Sequence, residues 1–227
     1  MSDLMNFDDF SLADNPDPRC PVILLLDASS SMVERRPGED HSPLDALNSG
    51  LDVLISELHK DPLTKKRVEL SVIPYGTHVA EPTPFATVAD VTLPILEPMG
   101  VTSTGAAVNK ALDILEERKK SYKANGVNYY RPWVLLVSDG LATDDTSEAV
   151  KRVRALEDRG GVAFFAVGVD GADLNELSKF SKNGALALSG IKFDELFEWV
   201  SASQAAVSAS TPGDRVDLPV PSGWMSV

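Results

Sequence analysis

Asp27, Ser29 and Ser31 occupy alternate positions directly after Val22 to Leu26, an uninterrupted aliphatic run. A run of that kind reads as a strand buried on both faces of a parallel sheet. Such a strand excludes a carboxylate, so Asp27 marks its C-terminal end and should lie outside the core. In open α/β sheets that end is where ligands bind. A loop turning over the sheet edge can aim oxygens at i, i+2 and i+4 toward one point. Oxygen-only donors suit a hard divalent cation, Mg²⁺ before Ca²⁺ or Mn²⁺. The same residues favour helix caps and turns, so an N-cap at Asp27 followed by a plain polar loop is the competing account.

That account leaves two later segments without a role. Gly100 to Ala107 sets Thr102 and Thr104 in a glycine-flanked loop before a helical stretch, and either hydroxyl is a candidate ligand. Trp133 to Val137 is a second buried-strand run, followed by Ser138, Asp139 and a turn-forming Gly140. Taken together, the three segments resemble the von Willebrand factor A family. Its metal-ion-dependent adhesion site combines Asp-x-Ser-x-Ser, a Thr from a Gly/Thr loop and an Asp-Gly after a buried strand. The resemblance maps Asp27, Ser29, Ser31, Thr102 and Asp139 onto those positions and extends from about Cys20 to Ser208. Its spacing favours Thr102 over Thr104, which then reads as the N-cap of the following helix. A narrower resemblance rests on Arg131-Pro-Trp133, on Phe193 to Phe197, and on Leu218-Pro-x-Pro-x-Gly-Trp224. These phrases look like the bacterial tellurium-resistance (TerY-like) group. It implies a stress-response setting beside a protein kinase or a phosphatase.

In the resembled site the hydroxyls of Ser29, Ser31 and Thr102 contact the ion directly, whereas Asp27 and Asp139 act through waters and hydrogen bonds. Neutral ligands leave the cation most of its charge and one exchangeable position, which a partner's Asp or Glu can fill. The expected chemistry is protein docking, with Mg²⁺ (or Mn²⁺ or Ca²⁺) as cofactor and no catalysis. A Mg²⁺-dependent phosphohydrolase is one alternative, but it wants an acid two positions after a nucleophilic Asp, where Ser29 stands. A P-loop is excluded because Ala106 follows Gly105 where the phosphate-binding Lys belongs. A scaffold with a vestigial site is the other alternative.

The formal net charge of −13 in 227 residues argues against nucleic acid and anionic membranes as partners. Cys20 alone can form no internal disulfide and reads as a small core residue. His41, His59 and His78 have no metal-ligand spacing and read as surface residues. Met1 to Arg19 lacks the apolar region of a signal peptide, and no apolar run approaches a membrane span, so the chain reads as cytoplasmic. Three parts are expected: a flexible acidic arm over 1–18, the domain over 19–210 and a Pro/Gly-containing tail without regular structure over 211–227. Trp224 should bury its ring on the domain or on a partner.

Within the domain, Ser42-Pro43 opens a helix to about Lys60 with Leu44, Leu47, Leu51, Leu54 and Leu58 as its apolar stripe. Val68 to Tyr75 is a strand, and the proline-interrupted segment 79–91 is a short antiparallel edge. A second long helix runs from Thr104 to about Lys123. Strands over 131–138, 162–169 and 186–188 alternate with helices over 148–159, from Asp173, and from Phe193 to about Ser208. Asp145 and Glu148 have the spacing of a capping box, and Asp144 reads as solvated or capping. This alternation predicts a doubly wound, mostly parallel sheet with one antiparallel edge strand and helices on both faces.

Overall fold

The computed structural model describes Leu12 and residues 15–35, 37–139, 141–169, 171–220 and 225–226. Every residue of β1 (Cys20–Asp27) and β2 (Val68–Tyr75) is buried, which is why their apolar runs are nearly continuous. With β4 (Trp133–Ser138), β5 (Ala163–Gly168) and β6 (Ala185–Leu188) they form a parallel array. Two short strands close its edges in antiparallel sense, β3 (Ala86–Thr87) beside β2 and β7 (Met225–Ser226) beside β6. The order across the sheet is β3-β2-β1-β4-β5-β6-β7. This is the doubly wound α/β fold expected from the sequence. The second antiparallel edge corrects the reading of the tail as irregular, since Leu188 pairs with Met225 and Ala187 with Ser226.

Helices cover both faces. On one, α1 (Pro43–Leu58) and α6 (Phe193–Ala209) pack over Val22, Leu24 and Leu26. On the other, α3 (Thr104–Ala124) and α4 (Ser147–Asp158) pack over Ile23 and Leu25. Alternate β1 residues therefore serve opposite cores, as a pleated strand requires. All five leucines of the α1 stripe are buried. Ser42 and Asp45 cap α1 reciprocally, Ser42 Oγ accepting from the Asp45 N–H at 3.1 Å and Asp45 Oδ2 from the Ser42 N–H at 3.2 Å.

A short helix, α2 (Pro62–Arg67), was not expected. Asp61 caps it, with Pro62 in its first turn. Thr104 is the first residue of α3 and not its N-cap, a position held by Ser103. The expected Asp145–Glu148 box does not form, because the N-cap of α4 is Thr146 and Asp145 Oδ1 accepts from the Ser147 N–H at 2.9 Å. The short helix α5 (Leu174–Ser178) is capped by Asp173.

The described end of the acidic segment is docked on the domain. Leu12 packs against Tyr122 and Val127, Asn15 donates to the Lys66 carbonyl, and Asp17 pairs with Arg67 at 2.9 Å. At the N-terminal end of the sheet, Glu69 is 2% exposed and accepts from Arg19 at 2.9 Å, from Arg118 at 2.8 Å and from the Tyr122 hydroxyl. Three donors on one buried carboxylate offset a desolvation cost of several kcal/mol per ion. The tail is docked as well, with Trp199 Nε1 donating to the Pro219 carbonyl at 2.7 Å and Leu218 against the core. Trp224 lies outside the described residues.

Candidate metal centre

From the adjacent pair β1 and β4 the chain proceeds outward in opposite directions, to β2 and β3 on one side and to β5, β6 and β7 on the other. Loops leaving the two strands part there, and ligands of open α/β sheets bind in the resulting crevice. Asp27 ends β1 and Ser138 ends β4, so both reach that edge.

Asp27 is 0% exposed, which corrects the expectation that it lies outside the core. A carboxylate is tolerated there because Oδ1 accepts from the Ser29 N–H at 2.8 Å and Oδ2 from the Ser138 hydroxyl at 2.6 Å. The Ser29 and Ser31 hydroxyls lie 3.0 Å apart, and Ser31 Oγ donates to Asp139 Oδ1 at 2.8 Å. Asp27, Ser29, Ser31 and Asp139 thus form one hydrogen-bonded chain, buried at Ser29 and open to solvent at Ser31.

Thr102 joins through its loop. The Gly100 carbonyl accepts from the Ser30 N–H at 2.6 Å, and the Ala28 carbonyl accepts from the Met99 N–H at 2.7 Å. The Thr102 carbonyl accepts from the N–H and hydroxyl of Thr143 at 2.8 and 3.0 Å, tying this loop to the one after β4. Asp144 then caps α3 from across the crevice, accepting from the Gly105 and Ala106 N–H groups at 3.0 and 2.8 Å. Gly105 permits the approach, since a Cβ there would stand 2.5 Å from the Asp145 carbonyl oxygen. Ser138 was missed as a partner of Asp27. Its signal is a hydroxyl closing the apolar run beside Asp139.

Burial pushes the Asp27 carboxyl above its ordinary range; hydrogen bonds from Ser138 and Ser29 pull it back, and Asp139 adds a smaller upward push. Beneath it, Tyr75 is fully buried, and its hydroxyl makes no hydrogen bond of ordinary geometry. Burial raises that phenol well above its usual range, with the charge of Asp27 adding to it.

This donor set fits a hard cation. Among the described residues no three His, Cys, Asp or Glu side chains converge to hold a metal, so a softer N/S site is not offered. Hydroxyls backed by carboxylates are what the crevice presents. The 3.0 Å between Ser29 Oγ and Ser31 Oγ matches the edge of an octahedron whose metal–oxygen bonds are about 2.1 Å. His41, His59 and His78 are exposed.

A doubly wound sheet with a hydroxyl-carboxylate crevice at its switch point defines the class. The von Willebrand factor type A domain family matches residues 22–198, well over half of the chain, and the protein belongs to that family. No curated protein sequence matches it. Among solved structures it is similar to the vWF domain of the type V pili tip protein Mfa5 from Porphyromonas gingivalis (13% identity, TM-score 0.60, 88% of this chain and 98% of that one). It is also similar to manganese-loaded Plasmodium vivax TRAP protein (17% identity, TM-score 0.52, 79% and 73%). A third likeness is to mussel byssus proximal thread matrix protein 1 with a zinc-occupied MIDAS motif (16% identity, TM-score 0.55, 84% and 49%). The chain spans about half the length of that mussel protein. At these identities the likeness bears on the fold alone. No helix among the described residues is long and apolar enough to cross a membrane.

Proposed function

We propose that this protein docks a protein partner through a divalent cation held by Asp27, Ser29, Ser31, Thr102 and Asp139. The observation that carries the reading is the hydrogen-bonded chain from Asp27 through Ser29 and Ser31 to Asp139. Ser29, Ser31 and Thr102 would contact the ion, and Asp27 and Asp139 would act behind them by hydrogen bonds. Bound Mg²⁺ or Mn²⁺ supplies an electrophilic centre with a position for an incoming carboxylate. What this chain does is hold that position. Asp27 orients Ser29 through its N–H, Ser138 fixes Asp27, and Asp139 fixes the Ser31 hydroxyl. The hydroxyls here are held by carboxylates and not by a His or Lys base, which supports reading the chain as an interaction module without turnover. The narrower phrases at Arg131–Trp133, Phe193–Phe197 and Leu218–Trp224 support a bacterial stress-response setting of the tellurium-resistance kind. They favour a cytoplasmic location and a kinase or phosphatase as partner.

The test is capture of the partner on immobilised chain in Mg²⁺ and in EDTA. EDTA and Thr102→Ala should each release it, and so should neutralising one partner Asp or Glu. A complex indifferent to all three changes places the interface elsewhere.

A further inference from the structure

Six large apolar side chains are exposed among the described residues, and four of them lie beside the crevice residues in sequence or packing. Val33 (40% exposed) follows Ser31 by two positions, and Val101 (53%) immediately precedes Thr102. Leu141 (56%) follows Asp139 by two positions. Leu174 (36%) opens α5, and its Cδ2 lies 2.6 Å from where a Cβ on Gly168 would stand. Gly168 in turn pairs with Ser138. Four segments distant in sequence therefore each bring an exposed aliphatic group near the edge that carries the hydroxyls. Single exposed aliphatics are ordinary, but a set ringing one polar site marks a contact surface. Met99, two positions before Val101, lines a groove of about 410 Å³ together with Pro74, Pro94, Pro98 and the 83% exposed Ile95.

Charge narrows the occupant. Next to the aliphatic groups in the sequence stand exposed Glu34 and Asp145, Glu97 lines the groove, and among the described residues beside them Arg35 is an exposed cation, on a chain of net charge −13. A ligand with several acids would be repelled there once its first carboxylate had docked. We infer that the face takes a protein loop carrying one Asp or Glu between large apolar residues, with basic residues outside them. The inference rests on the metal-docking reading and adds the identity of what flanks the carboxylate.

The experiment uses the full chain with Mn²⁺ and three cyclic peptides. One carries a Glu between Leu and Phe with outer lysines, one replaces Leu and Phe by Ser, and one replaces Glu by Gln. Calorimetric titration of Mn²⁺ alone precedes each series. The apolar-flanked peptide should bind at least about tenfold tighter than the Ser-flanked one, a difference of about 1.4 kcal/mol. The double variant Val101→Ser with Leu141→Ser, both more than half exposed, should erase that difference while its Mn²⁺ titration and thermal melt match the wild type. Equal metal-dependent binding of the two Glu peptides overturns the apolar ring and leaves the metal reading standing. No saturable Mn²⁺ binding overturns both. Self-association of the wild type that the double variant abolishes would make the ring a contact between copies and also overturn the inference.

Discussion

At the end of β1, burial and hydrogen bonding act on Asp27 in opposite directions. Burial is the larger effect, so the carboxyl lies above its ordinary range in the folded protein. A raised carboxyl favours the protonated fold. In chelator, its contribution is therefore present below the unfolded value of about 3.9 and lost as pH rises through the folded value. Asp27→Asn keeps the shape and removes the charge. Its melting temperature in EDTA at neutral pH should equal or exceed that of the wild type. Saturating Mn²⁺ should raise the wild-type melt alone, by about 2.7 kcal/mol of stability at a hundred times the dissociation constant. A variant that melts lower in EDTA would make the Asp27 charge a structural support. Asp27, Ser29, Ser31 and Asp139 were legible in the sequence because acids and hydroxyls directly after aliphatic runs stand out by type. Ser138 and Asp144 were not legible in these roles, because their partners are Asp27 and the α3 N-terminus, more than thirty residues away in the chain.

The elements hold the crevice by close packing and caps. α1 and α6 touch at Gly50, where a Cβ would stand 2.8 Å from both Phe193 Cβ and Phe197 Cδ2. Gly50→Ala should cost about 1–3 kcal/mol by overpacking, more than the helix propensity of alanine returns, read from urea denaturation. An unchanged midpoint would mean the two helices separate freely. Asp61 caps α2 through the Leu63 and Thr64 N–H groups, and the Thr64 hydroxyl holds its carboxyl below the ordinary range. A lowered carboxyl contributes stability that is full above the unfolded value and lost as pH falls through the folded one. Asp61→Ala should cost about 1 kcal/mol near neutrality and progressively less as pH drops below about 4. Apolar periodicity made the long helices readable, whereas α2 offers too few turns for a period. Its only sequence signal was an acid before Pro62. The β7 edge was unreadable for a related reason, since two residues pairing with β6 leave no alternation to detect.

Across the whole molecule, polar groups tie the described segments before β1 and after α6 to the domain. Glu69 gathers Arg19, Arg118 and Tyr122 at the end of the sheet opposite the crevice. Glu69→Ala removes the carboxylate partner of two buried guanidinium groups and should cost about 3–5 kcal/mol, with Mn²⁺ affinity of the folded fraction unchanged. Such a network escapes a sequence reading because a charged residue opening an apolar strand looks like an ordinary strand end. Truncation after Ser210 removes the Pro219 carbonyl from Trp199 and Leu218 from the core, and should lower the melting temperature. An unchanged melt would show those contacts to be marginal. The doubly wound plan itself was readable, because buried parallel strands must be apolar throughout and must be separated by helices. Its consequence, a crevice where strand order reverses, is what gathers residues 27–31, 100–104 and 141–145 at one edge, with Asp139 beside them. The metal is the central claim, and an anomalous-difference map of crystals grown in Mn²⁺ tests it most directly. A single peak about 2.1–2.2 Å from Ser29 Oγ, Ser31 Oγ and Thr102 Oγ1 is the expected result. An empty crevice at saturating Mn²⁺, or a peak held by other side chains, would contradict it.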